Sequence, residues 1–156
     1  MDARIDWQKL GMRRVQPLLT LQAQVHGSGL GAKLLGLVEM RASQINGCAY
    51  CLDMHSKDAR AAGESEQRLY GLDAWREAPY YDARERAALA WTEAVTCLEE
   101  GHVADKVFEE VRKQFSDEEL LDLTLAIVAI NAWNRLMIGF RVPAGSYHPR
   151  ARAAAV

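Results

Sequence analysis

The sequence is short of the features that mark several common protein classes. Its 19 basic and 21 acidic side chains leave a net charge of only −2. A phosphate-binding surface carries a basic excess, so no nucleic-acid partner is expected. No uninterrupted apolar run reaches the roughly 20 residues that cross a bilayer, and no membrane partner is expected either. The opening Met1-Asp2-Ala3-Arg4-Ile5-Asp6-Trp7 lacks the apolar stretch of a secretory signal, which points to the cytoplasm. Cysteine is scarce: three residues, an odd number that argues against a structural disulfide scaffold. Alternating β-branched runs are absent, so strand signals are poor. There is no flavin or nicotinamide fingerprint, and no cofactor is expected.

What is present is helical. The 156 residues, 49% hydrophobic and 26% charged, suffice for one domain with a real core. Ala, Leu, Glu and Arg are plentiful, and four prolines leave room for long helices. Pro17 suits the first turn of a helix that runs to His26 and stops at Gly27-Ser28-Gly29. A second helix covers Gly31 to Gln44, followed by the turn pair Asn46-Gly47. A third begins near Cys48 and ends near Gly63, and a short one spans Glu66 to Leu72. Asp82 and Glu85 form a capping box opening a helix to about Glu100, which Gly101 ends. A further short helix spans Asp105 to Gln114. Ser116 and Glu119 form a second capping box that opens the longest helix, to about Phe140. Residues 141–156 read as a tail. The expectation is an all-α fold of six or seven helices.

The last helix is apolar nearly all round, from Leu120 and Leu121 to Met137 and Ile138. Such a helix must be covered on every side. A central position in the core and a subunit partner would each do so.

Chemistry concentrates at Cys48-Ala49-Tyr50-Cys51 and His55. At 100° per residue, Cys51 lies about 60° and His55 about 20° from Cys48, so the three share one stripe of a helix. Cys48 stands at the helix start, where free N–H groups and the dipole favour a thiolate. His55 is four residues beyond Cys51 and in reach of it, able to accept a thiol proton or return one to a leaving alkoxide. The paired thiols are open to three readings. They form a redox dithiol, in which one thiolate becomes a sulfenic acid and the other condenses with it. They form part of a zinc site with His55 as third ligand, which then needs a fourth. Or they are two inert buried cysteines. Cys97, on an apolar helix, reads as a small core residue. His102 reads as a surface loop residue, and His26 as a cation suited to a helix end. Trp75, Trp91 and Trp133 read as core. Asn131 and Asn134 are unusual on so apolar a helix and invite bonds to a subunit partner or to the loop before Cys48.

The stretch Glu39-Met40-Arg41-Ala42-Ser43-Gln44-Ile45-Asn46-Gly47-Cys48-Ala49-Tyr50-Cys51-Leu52-Asp53-Met54-His55 resembles the core of the AhpD-like alkylhydroperoxidases of the carboxymuconolactone decarboxylase superfamily. Phe115 to Glu119, Asn131 to Arg135 and Phe140 to Pro143 are similar to the same branch. The likeness covers about residues 15 to 145, which implies a single AhpD-like domain over 1–156 with a C-terminal tail at 141–156. It also implies a peroxidase that reduces organic or hydrogen peroxide through a Cys48–Cys51 dithiol/disulfide cycle. In that resemblance Cys51 attacks the peroxide, Cys48 resolves, and His55 relays protons. An external dithiol reductant, such as a lipoylated protein, restores the thiols, and the chain forms a homo-oligomer, a trimer or hexamer. The family's relay Glu, twelve residues before the first Cys, is replaced here by Gly36. Glu39 lies one turn later and is the candidate substitute; a rim position or a pairing with Arg41 or Arg60 are its other readings. Tyr50 stands where the family has a relay histidine. The same residues also allow a non-enzymatic redox-responsive partner protein, or a metal-binding helical module.

Overall fold

A computed structural model describes residues 2–6, 9–98 and 102–149. Among these, seven α-helices form and no strand does: α1 Gln16–His26, α2 Ala32–Asn46, α3 Ala49–Ala61, α4 Glu66–Tyr70, α5 Ala83–Thr96, α6 Asp105–Arg112 and α7 Asp117–Gly139. Two short 3₁₀ turns, Met12–Arg14 and Leu72–Ala74, add to them. The fold is all-α.

Local chemistry sets most boundaries. Asp82 accepts from the Glu85 N–H while the Glu85 side chain returns a bond to Asp82, and Ser116 and Glu119 do the same for α7. Each such cap is worth about 1 kcal/mol. Gly47 ends α2 in the left-handed region, at φ 67°, and turns the chain directly into α3. Several helix ends shift by two residues or more: α2 runs on to Asn46, α3 stops at Ala61 and α4 at Tyr70. Helix α5 ends at Thr96 rather than near Glu100, which lies outside the described residues together with Gly101. Thr96 is held by a hydrogen bond from Asn131 at 3.0 Å, and Cys97 leaves the helical region at φ −100°, ψ 75°. Helix α6 stops at Arg112 instead of Gln114.

Helix α2 is the hub and packs on α3, α5 and α7. On one side Leu34, Leu35 and Val38 meet Trp91, Leu123 and Ile127. On the other Leu37 and Met40 meet Leu69, Leu72 and Leu89. Helix α7 is 23 residues long and, by length and composition alone, apolar enough to cross a membrane. In this fold it packs against α1, α2, α3, α5 and α6. One face stays uncovered: Leu121, Val128 and Ile138 are 61%, 48% and 45% exposed. The first part of the expected tail is not loose. Lys57 donates to the carbonyls of Gly145 and Tyr147, and the Tyr147 hydroxyl donates to Asp58, which ties residues 145–147 to α3. The remainder of that tail, from residue 150, lies outside the described residues.

Candidate active site

The tight turn at Gly47 makes Cys48 the N-cap of α3, with Cys51 one turn inside it. Both are free thiols and both are 1% exposed. The Cys51 N–H donates to Cys48 Sγ at 3.4 Å. Beneath them lie Ala42, Ile130 and Met137. A hydrogen bond from the Cys51 thiol lowers the Cys48 pKa to about 7; burial opposes this, while the Cys51 N–H, Asn134 and the charge of His55 assist. Cys51 is pushed up from its usual value, first by that same shared hydrogen bond and then by burial. When the pair loses one proton, the remaining one is shared between the two sulphurs and the negative charge is favoured on Cys48.

The asparagines on α7 serve the turn before Cys48. Asn46 donates to Asn131 at 2.9 Å and to Asn134 at 2.8 Å, and the fully buried Asn134 donates to Ser43 at 3.1 Å. These bonds link the end of α2 to α7 and fix where α3 starts.

His55 and Glu39 are both buried and face each other, with His55 Nδ1 3.2 Å from Glu39 Oε2. The other carboxylate oxygen, Oε1, accepts from Gln22 Nε2 at 2.7 Å and lies 2.8 Å from His26 Nε2. Burial pushes the Glu39 carboxyl up, but the charge of His55 and the hydrogen bonds from His26 and His55 outweigh it and hold the group well below the carboxylate range. His26 is raised above its usual value by the bond to Glu39, against the cost of its partial burial. The two alternative partners of Glu39 are engaged elsewhere: Arg41 pairs with Glu93 and Asp73, and Arg60 with Glu66.

These groups open on one cavity of about 470 Å³. Cys51, His55, Glu39 and His26 contribute to its wall, as do Met54 and Trp133, so Trp133 is a lining residue rather than part of the closed core. Cys48 is not part of that wall. Gly36 is, and a Cβ there would meet only Ala59, at 3.8 Å. Neither φ nor a close contact demands glycine at position 36.

The structure thus brings Cys48, Cys51, His55 and Glu39 together. It also adds two residues on α1 to the site: His26, which the sequence analysis read only as a cation suited to a helix end, and Gln22, which it did not single out. No local spacing joins them to Glu39, which lies 13 and 17 positions on; the usable signal was that a carboxylate within an apolar helix needs a donor. Cys97 is a correction. It is exposed, because α5 ends one residue before it. Among the described residues, no cluster of three or more His, Cys, Asp or Glu side chains is arranged to hold a metal ion.

Comparison with known proteins shows the family and the fold. Residues 15–94 match the carboxymuconolactone decarboxylase family model. The uncharacterized protein YdfG of Bacillus subtilis is 36% identical over 138 residues, covering 88% of this chain and 94% of that protein. An Agrobacterium tumefaciens protein of unknown function, provisionally named an antioxidant-defence protein AhpD, superposes with a TM-score of 0.89 at 42% identity, over 94% of this chain and all of that one. A peroxidase-related protein from Silicibacter sp. shares the fold, with a TM-score of 0.78 at 22% identity over 91% and 76% of the two chains. The chain belongs to the AhpD-like carboxymuconolactone decarboxylase superfamily.

Proposed function

We propose that this AhpD-like protein is a thiol peroxidase that reduces organic or hydrogen peroxide through a Cys48–Cys51 disulfide cycle. One observation carries the reading: Cys51 opens on a cavity that also holds His55 and its buried carboxylate partner Glu39, while Cys48 lies behind it with the lower pKa. Access favours Cys51 as the attacking sulphur, and acidity favours Cys48 as the resident thiolate. The two observations are compatible. The Cys51 proton passes to Cys48, and the Cys51 thiolate attacks the outer peroxide oxygen.

In that step an S–O bond forms and the O–O bond breaks. The leaving alkoxide takes a proton from His55 and departs as alcohol, leaving Cys51 as a sulfenic acid. Cys48 then gives up the proton it received to His55, which is now neutral, and attacks Cys51 Sγ as a thiolate; the S–S bond forms, and the leaving hydroxide takes that proton from His55 to become water. Beginning from the monoanion, one peroxide and one proton give disulfide, alcohol and water. An external dithiol reduces the disulfide and returns the proton. Glu39 holds the Nδ1–H of His55, which leaves Nε2 for proton exchange with the sulphur and the leaving oxygen. In this reading copies of the chain assemble through the uncovered face of α7.

The test is peroxide consumption in the steady state, with cumene hydroperoxide or hydrogen peroxide and dihydrolipoamide as reductant. Turnover that is lost in both Cys48→Ser and Cys51→Ser supports the reading. A wild-type protein that forms the disulfide without turning over identifies a redox-responsive partner protein instead.

A further inference from the structure

Glu39 holds two histidines, one on each oxygen: His26 Nε2 at 2.8 Å from Oε1 and His55 Nδ1 at 3.2 Å from Oε2. The three side chains run from solvent inward, at 47%, 5% and 9% exposure. The terminal torsion of a glutamate is soft. Without a partner on Oε1, the carboxylate plane would be free to turn away from His55. Two groups prevent this, and both come from α1, one turn apart: Gln22, which donates to Oε1, and His26, whose Nε2 lies 2.8 Å from Oε1 and 2.6 Å from Gln22 Nε2.

From this geometry we infer that Gln22 and His26 are positioning residues of the thiol site: by pinning Oε1 they aim Oε2 at His55 Nδ1, fix the neutral form of that imidazole as its Nδ1–H tautomer, and leave Nε2 as the atom that takes up and gives back a proton on the cavity side. The chemical purpose of the device rests on the peroxidase reading, whereas the linkage of α1 to His55 does not. His26 has a property that Gln22 lacks, since it gains and loses a charge. The charged and titratable groups facing it are Glu39 on α2 and Asp58 and His55 on α3. While His26 is protonated it shares the carboxylate's charge. Once it is neutral the full charge of the carboxylate faces His55. The half-exposed end of the chain thereby passes solvent pH to the buried end.

The experiment uses the full-length protein labelled with 15N-histidine, in which two-bond 15N–1H couplings read the tautomer of each imidazole. In the wild type His55 should appear as the single Nδ1–H form. The double variant Gln22→Ala/His26→Ala should show mixed tautomers, and alkylation of its dithiol by iodoacetamide at pH 7.5 should slow about tenfold, the lower end of the cost of losing such an orienting partner. His26→Gln keeps a donor but cannot titrate. It should keep the tautomer and the plateau rate while losing the limb of the alkylation pH profile that His26 contributes. A double variant with a pure Nδ1–H tautomer and the wild-type pH profile overturns the inference. Should the double variant fail to fold, His26→Gln decides alone: a flattened profile supports the inference and an unchanged one overturns it. Peroxide consumption recorded alongside separates the two claims, because a wild type inert to peroxide but with an α1-dependent tautomer contradicts the functional reading only.

Discussion

At the scale of single residues, what the sequence made readable was whatever is local. Cys48, Cys51 and His55 sit at helical spacing, so their shared stripe followed from 100° per residue before any packing was known. The partner of Glu39 did not, because His26 reaches it from another helix and across a turn. Cys97 misled for the opposite reason. Its neighbours Ala94 and Val95 are apolar, yet the helix that would have buried it ends at Thr96, where Asn131 takes the threonine hydroxyl. The role of His55 is open to a direct check. Its charge helps to lower Cys48, so His55→Ala should shift the alkylation midpoint upward from near 7. As a general acid–base residue it should also slow peroxide reduction by about 10²-fold or more. A variant with the wild-type alkylation profile would remove His55 from the mechanism.

Among the helices, capping gave the clearest signals. Asp82 with Glu85 and Ser116 with Glu119 form the reciprocal boxes their spacing implies, and Gly47 supplies the left-handed residue that the Asn46-Gly47 pair announces. The 3₁₀ turn Leu72–Ala74 has no such mark, since a short apolar segment reads equally as the end of α4. For α7 the pattern fitted both of its possible environments, and both occur along its length. Ala126, Ile127, Ala129 and Ile130 are buried, while Leu121, Val128 and Ile138 stay in solvent on a face about 100° wide. Solvent is a poor neighbour for three large apolar side chains in one stripe. A homo-oligomer is therefore expected, and sedimentation at micromolar concentration should show a species heavier than the 17.4 kDa chain. Leu121→Glu with Val128→Glu should shift it to the monomer while the helical circular dichroism persists. A wild-type monomer would contradict the expectation.

For the molecule as a whole, the α-helical architecture was legible because no stretch of the chain offers a strand period, whereas the order of packing around α2 was not, since nothing local specifies which apolar face meets which. The buried carboxylate ties the site to the stability of the entire fold. Glu39 is depressed, so its contribution is present above its unfolded value of 4.5 and is lost as pH falls through the folded one. His26 is raised, so its contribution is full below 6.5 and is lost as pH rises through its folded value. The two act together between those limits. The urea midpoint of the wild type should exceed that of Glu39→Gln by the widest margin between pH 4.5 and 6.5, and the gap should narrow on either side. A margin that keeps growing above pH 8 would contradict this assignment. The central claim, that the two cysteines of α3 form the working dithiol, is met most directly by counting thiols before and after one equivalent of peroxide. The chain has three cysteines. The account predicts that the wild type loses two and keeps Cys97, that Cys48→Ser halts at a sulfenic acid on Cys51 which a dimedone probe captures, and that Cys51→Ser keeps both of its remaining thiols. A wild type that retains all three thiols after the pulse would contradict it.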